Sequence, residues 1–324
     1  MVIQVKIVSI TIMTILLFTS YEVLTNGGDI LNSVAFSLNI FKSSIFPSLF
    51  PFFVLSDLLI KYGFPELIGN LTKNIMNKLF KIKSECAFIF IMSLISGNPS
   101  NAKYTKELLE NKTINKYEAT KILCFTCFAN PLFILGTVST IFLDNKEVGP
   151  LILFCHYIGN IIIGLFMRSY HPSPKENTKT SLKKAINLMH QKRMQNKNFG
   201  IIITEALTKS INTLLLILGV ITMCLVVTTI INKNINLDNF IEAILNGFIE
   251  MTQGLKYISL EAIPLKLKCV LTVMILSFGG LSVHMQIMGI LSDTEVKYLP
   301  FLSARICHSL ISSLLTYFLF DIFF

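Results

Sequence analysis

Charge is what this sequence has least of. Only 15% of its 324 residues are Asp, Glu, Lys or Arg, against 52% hydrophobic, and the mean hydropathy is +0.65. A water-soluble domain carries about 25% charged residues, so a soluble enzyme, a coiled coil, a collagen and a disordered chain are all excluded. Catalytic signatures are missing as well. No HExxH, GxSxG, P-loop or dinucleotide fingerprint occurs, so the chain is expected not to be an enzyme and to hold no metal or cofactor. The seven cysteines are odd in number and lie mostly in apolar segments, which argues against a disulfide framework. Cys124 and Cys127 are read as neighbours on one helix face rather than as a metal pair.

What is present is long uncharged sequence. Residues 122–143, 148–167 and 211–231 are each free of charge and long enough to cross about 30 Å of hydrocarbon as a helix. Between two such spans, Arg168 to Lys197 carries eight basic residues against one acid, Glu176. No nucleic-acid-reading motif accompanies them, so the positive-inside rule is the simpler account: this basic loop, 169–199, is cytoplasmic and no nucleic acid is bound. Its middle, LKKAINLMHQKRM, mixes apolar residues at helical spacing with lysines and suits a helix lying on anionic lipid.

That loop orients the rest. Residues 148–167 run outward to inward and 122–143 inward to outward. The connector from Lys61 to Lys116, with nine lysines and four glutamates, is then cytoplasmic. Residues 30–60 form a span broken by Pro47 and Pro51. The segment 1–29 is an anchor, because no small-residue cleavage site follows its first apolar run. Residues 86–95 reach only about 15 Å before SGNPSNAK, so they are expected to enter and turn back as a re-entrant hairpin near 84–110. Its irregular tip at Gly97, Asn98 and Pro99 is tolerated only against protein or a water-filled cavity.

A second hairpin is expected near 266–292, where an uncharged stretch is split by Gly279-Gly280 and continues as LSVHMQ. The order of elements repeats, and KSSIFPSLFPFF from Lys42 resembles KSINTLLLILGV from Lys209. From Lys233 to Lys297 there are five lysines and six acids, so this connector, including Asp293, is expected outside. The resulting fold is an all-α polytopic membrane protein. Its two inverted repeats, 30–168 and 200–324, each have a re-entrant hairpin and broken helices, as secondary transporters do.

SGNPSNAK, FANPLF from Phe128, HYIGN from His156, GGLSVHMQ from Gly279 and ARICH from Ala304 together resemble the YlbJ (SpoVV) family of sporulation integral membrane proteins. The resemblance covers roughly residues 30–320. It implies two nucleoside-recognition (gate) domains, a core similar to that of concentrative nucleoside transporters, and location in the outer forespore membrane or cell membrane of a spore-former. The implied activity is movement of dipicolinic acid out of the mother cell. Alternatives are transport of a nucleoside or another small metabolite, or a scaffold acting through the basic loop. Asn130 stands where the nucleoside carriers have acidic residues, and lipid and a possible homo-oligomer are the other expected partners.

A planar aromatic dicarboxylate needs cations or half-helix N-termini for its charge and an apolar slot for its ring. Candidates on the first break are Gly97, Asn98, Ser100, Asn101 and Lys103, with Asn130 on the neighbouring span. The second break offers Ser282, His284 and Gln286. On the last span Arg305 and His308 are three apart, hence on one face, and Arg305 is expected to be the best carboxylate partner. No acid lies deep in a core span apart from Asp57 and Glu250, so no coupling ion is assigned.

Overall fold

The computed structural model of the chain describes residues 2–173, 182–194 and 198–324, and among these every regular element is helical. Parts of the basic loop, including Lys175, Lys179 and Lys197, lie outside the described residues. Helix is what lipid demands, because each backbone N–H and C=O must find its partner within the segment.

Along the chain, α1 (Val2–Thr25) is apolar and almost fully exposed over Val8–Thr25. The next helix, α2 (Gly27–Ile40), continues through a π-helical stretch at Phe41–Ile45 into α3 (Phe46–Lys61), making one span. Gly63 adopts a left-handed conformation (φ 77°) and turns the chain into the amphipathic α4 (Phe64–Ile75).

Two short helices follow, α5 (Cys86–Ser96) and α6 (Ser100–Glu110), each 11 residues. At about 1.5 Å per residue neither crosses a bilayer. They lie antiparallel, the Phe88 ring meeting the Tyr104 ring at 5.6 Å, and Lys83 at the mouth donates to the Thr113 carbonyl at the exit.

The next element, α7 (Lys116–Phe125), stops in mid-span. Residues 126–130 are not helical, and the chain resumes as a π-type helix over Phe133–Phe142. Pro131 is the cause: it lacks an N–H and pushes the residue before it out of the helical region. Asn130 then caps the second half, its Oδ1 accepting from Leu132 N (2.8 Å) and Phe133 N (3.2 Å). The span expected to be continuous over 122–143 is therefore a broken one.

The chain returns in α8 (Val148–Phe166), and α9 (Leu182–Met194) packs on α4. The 36-residue α10 (Phe199–Asn234) is the longest helix. It leads to α11 (Asn239–Ile249) and α12 (Met251–Leu260), which fold back on each other so closely that a Cβ on Gly254 would lie on the Gly247 backbone, against its Cα. Last come α13 (Leu265–Phe278), α14 (Gly280–Ile290) and α15 (Tyr298–Phe323). Among the described residues six stretches are long and apolar enough to cross a membrane: Val8–Thr25, Gly27–Lys61, Val148–Ser169, Phe199–Asn234, Leu265–Ile290 and Tyr298–Phe323.

This corrects the second half of the sequence reading. The second hairpin is not at 266–292. There Gly279 (φ 91°) and Gly280 (φ 65°) interrupt a span that carries on as α14, whereas the chain reverses at Glu250, between two helices too short to cross. Asp293 is not at the opposite end from the first connector either. Lys106 Nζ lies 2.7 Å from Asp293 Oδ1 and Lys116 Nζ 2.5 Å from Glu295 Oε2, so residues 291–297 sit beside the mouth of the first hairpin. The Lys106 ammonium holds the Asp293 carboxyl below its ordinary range. Charge counting fails here because the acids of this loop are matched to lysines of a neighbouring loop; summed together, the two loops are basic.

Two ends follow from these contacts. At the basic end Lys121 Nζ donates to the carbonyls of Lys81 and Arg168 (3.0 Å each), tying the first hairpin's entrance to the end of α8. At the other end Lys233 pairs with Asp29 (3.1 Å) and Lys266 with Asp321 (2.6 Å). The α5–α6 hairpin enters from the basic end and the α11–α12 hairpin from the other. Between helices small residues allow close approach, as membrane packing requires: a Cβ on Gly159 of α8 would strike Ser312 and His308 of α15.

Candidate substrate cleft

Each hairpin tip docks on a break. Asn98 N donates to the Phe128 carbonyl (2.7 Å) and Asn130 Nδ2 to the Ser96 carbonyl (2.9 Å), joining the first tip to the unwound segment 126–130. Gly97 (φ 78°) is required there, since a Cβ would come within 2.5 Å of Asn130 N. The second tip rests on the Gly279-Gly280 break in the same way: a Cβ on Gly280 would meet Met251 N at 3.0 Å and the Gly247 and Ile249 carbonyls at 3.2 and 3.3 Å.

Between the two docked tips lies a small cleft of about 60 Å³. Ser44 and Ser48, Asn98, Asn130, Glu250, Thr252, Ser282 and Gln286 give it polar groups. Leu49, Phe133, Ile217, Ile221, Met251 and Val283 give it apolar walls, so it combines a greasy slot with a few convergent polar atoms. Four helical segments begin at this depth: α6, α12, α14 and the helix after Pro131. Asn130 caps the last, and Glu250 caps α12 through Gln253 N (2.9 Å). The starts of α6 and α14 have no side-chain cap, so their positive dipole ends stand beside Asn98 and Ser282, although in α6 the N–H groups of Ser100, Ala102 and Lys103 are already taken by the Gly97 and Pro99 carbonyls.

The expected site residues divide. Asn98, Asn130, Ser282 and Gln286 line the cleft. Gly97 and Ser100 shape the tip behind it, the Ser100 hydroxyl bonding Ser96 Oγ (2.6 Å) and the Gly97 carbonyl. Asn101 is fully buried on α6 with both amide atoms unpaired. Lys103 does not reach the cleft: it pairs with buried Asp57 (3.0 Å), donates to the Phe53 carbonyl and Ser210 Oγ (3.2 Å each), and borders a second, more open pocket at the basic end with Lys106, Glu107 and Lys209. His284 is spent on the Phe278 carbonyl (3.0 Å) and the Tyr298 hydroxyl (3.1 Å).

Arg305 is the largest correction. Its side chain is completely buried, and both terminal nitrogens are taken up by the protein while Nε has no partner. Nη2 donates to the Cys124 carbonyl and to Asn160 Oδ1 (3.0 Å), while Nη1 reaches the Cys127 and Ser277 carbonyls (3.4 Å each) and His308 Nδ1 (2.9 Å). His308 Nε2 meets the His156 carbonyl at 2.8 Å, and His156 Nε2 accepts from Ala129 N (2.9 Å). These carbonyls close α7 and α13, the halves that stop at the two breaks. One guanidinium thus balances two half-helix C-termini, each worth about half a negative charge. Arg305 and His308 bridge the breaks and do not line the cleft.

Glu250 was visible in the sequence as a deep acid without a role, and Ser44, Ser48 and Thr252 carried no signal of their own. The usable signal was length: Asn239–Ile249 is apolar yet too short to span, the property that marked the first hairpin.

The chain is 32% identical to the sporulation integral membrane protein YlbJ of Bacillus subtilis (strain 168) over 327 aligned positions, which cover 93% of this chain and 80% of the relative. No family profile matches the chain, and no solved structure matches it.

Proposed function

We propose, from the premise that this chain belongs to the YlbJ family of sporulation integral membrane proteins, that it is a multi-pass transporter carrying dipicolinic acid out of the cytoplasm during sporulation. The observation that carries the reading is the cleft held between two hairpin tips that enter from opposite ends, each docked on a broken span. In this reading α2 to α8 and α10 to α15 are inverted repeats, as in the core of nucleoside carriers, with the second hairpin at Asn239–Leu260. The basic end faces the cytoplasm. Alternating access is motion of one docked tip and then the other away from its break. The uncapped starts of α6 and α14 receive the substrate's carboxylates and Phe133, Leu49 and Ile217 its ring; no bond of the substrate is made or broken.

One feature favours a second reading. Among the described residues the cleft lining contains a carboxylate and no lysine, arginine or histidine, which suits a neutral solute with hydroxyl donors, such as a nucleoside. Flux into proteoliposomes decides: dipicolinate should enter and uridine should not. Uridine entry without dipicolinate entry would overturn the first reading.

A further inference from the structure

Glu250 stands at the tip of the second hairpin and is 1% exposed, and it lines the cleft. Its contacts are neutral: Oε2 accepts from Gln253 N (2.9 Å), Oε1 from the Thr252 hydroxyl (3.2 Å), and the Ser282 hydroxyl stands beside it. Among the described residues, the elements around it add no cation. From α10 come Thr228, which bonds Gln253 Oε1 at 2.5 Å, and the Cys224 thiol, the titratable neighbour; from α14 come Ser282, Val283 and Gln286; from the α2–α3 span Ser44 and Ser48. Lys256, on the same helix as Gln253, is turned over the Phe36 ring at 4.6 Å. Buried Asp57, by contrast, has Lys103 at 3.0 Å. A buried carboxylate without one is costly while ionised, and a substrate anion in the same cleft makes it costlier.

We propose that Glu250 is the proton-binding group of the transport cycle, so that a proton travels with each anionic substrate. This rests on the transport reading above. A carboxylate oxygen of Glu250 takes a proton from water while the cleft is open to one side. The neutral carboxyl coexists with the substrate's charge during occlusion. When the cleft opens to the other side, the substrate leaves and the same oxygen returns the proton to water there. Gln253 N and the Thr252 hydroxyl hold the carboxyl in place in both states, and the docking of the tip on Gly280 couples its charge to whether the tip can leave the break.

The test uses the full-length protein in sodium-free liposomes containing a pH-sensitive dye, with dipicolinate added outside. Dipicolinate entry should acidify the interior, and Glu250→Gln should abolish the acidification. Dipicolinate binding by the wild type should strengthen up to about tenfold per unit fall in pH over the range where Glu250 titrates, and Glu250→Gln should be flat there. Entry without acidification, acidification by Glu250→Gln equal to wild type, or flux that needs sodium at constant pH would overturn the proposal. If the wild type moves no dipicolinate, the transport reading fails by itself. Infrared titration of the purified protein then decides for Glu250: a protonated-carboxyl band near neutral pH that Glu250→Gln lacks supports proton binding, and its absence from wild type overturns it. Should Glu250→Gln not fold, Glu250→Asp should shift the pH midpoint of binding, and an unmoved midpoint counts against the proposal.

Discussion

Arg305→Ala separates a structural clamp from a ligand contact. The substitution removes the donor shared by the Cys124, Cys127 and Ser277 carbonyls and by Asn160 Oδ1, all in a region where Arg305 itself has no exposed surface. The contacts to Cys124 and Asn160 are close, and losing each strands a buried acceptor at about 1–3 kcal/mol; those at 3.4 Å contribute less. Two half-helix C-termini also lose their counter-charge. The sum is a destabilisation of about 3–5 kcal/mol, the range for breaking a buried charged contact. Unfolding by denaturant in mixed micelles measures it. Arg305→Lys should recover part of the loss, since an ammonium keeps the charge but cannot serve acceptors on three helices with a planar fork. The reasoning fails if Arg305→Ala unfolds at the wild-type midpoint. It fails differently if stability is unchanged and dipicolinate affinity falls more than about tenfold, because Arg305 would then touch the substrate.

Three further outcomes follow from single contacts. Cysteines placed at Lys106 and at Asp293, with the seven native cysteines replaced, should both react with an impermeant thiol reagent from the same side; labelling from opposite sides would break the pairing at 2.7 Å on which the topology rests. Asp57→Asn strands the buried Lys103 ammonium and should cost about 3–5 kcal/mol, whereas Asp57→Leu with Lys103→Met should recover most of it, as measured by unfolding in micelles. Gly97→Val puts a branched side chain where φ is 78° and Asn130 N is 2.5 Å from the first added carbon, so the tip must leave its break; dipicolinate flux should vanish while membrane insertion, read by protease protection, stays intact.

What the sequence made legible was governed by periods and lengths. The charge-free runs marked spans because lipid excludes charge, and the eleven-residue α5 could not cross, so the first hairpin and its Gly97-Asn98 tip were readable from residue counts alone. Pro131 was equally visible, yet 122–143 reads as one span, because a run without charge looks the same whether or not it unwinds in the middle. The second half went astray for a related reason. Gly279-Gly280 is a stronger local break signal than anything near Glu250, but glycine specifies only that the backbone deviates, not whether it reverses. In α13–α14 the chain resumes in its old direction, with Gly280 pressed against the other hairpin's tip; at Glu250 it turns back, although the surrounding sequence, GFIEMTQG, holds no proline and its glycines lie inside helices. Direction depends on what packs against the break, and that is a tertiary contact. The same holds for Arg305 and Glu250. A sequence shows one cation and one acid in apolar surroundings and invites the cation to be the anion's partner. The fold assigns the cation to backbone carbonyls and leaves the acid facing the cleft, so the charge requirement of an anionic substrate falls on helix N-termini and on whatever neutralises Glu250.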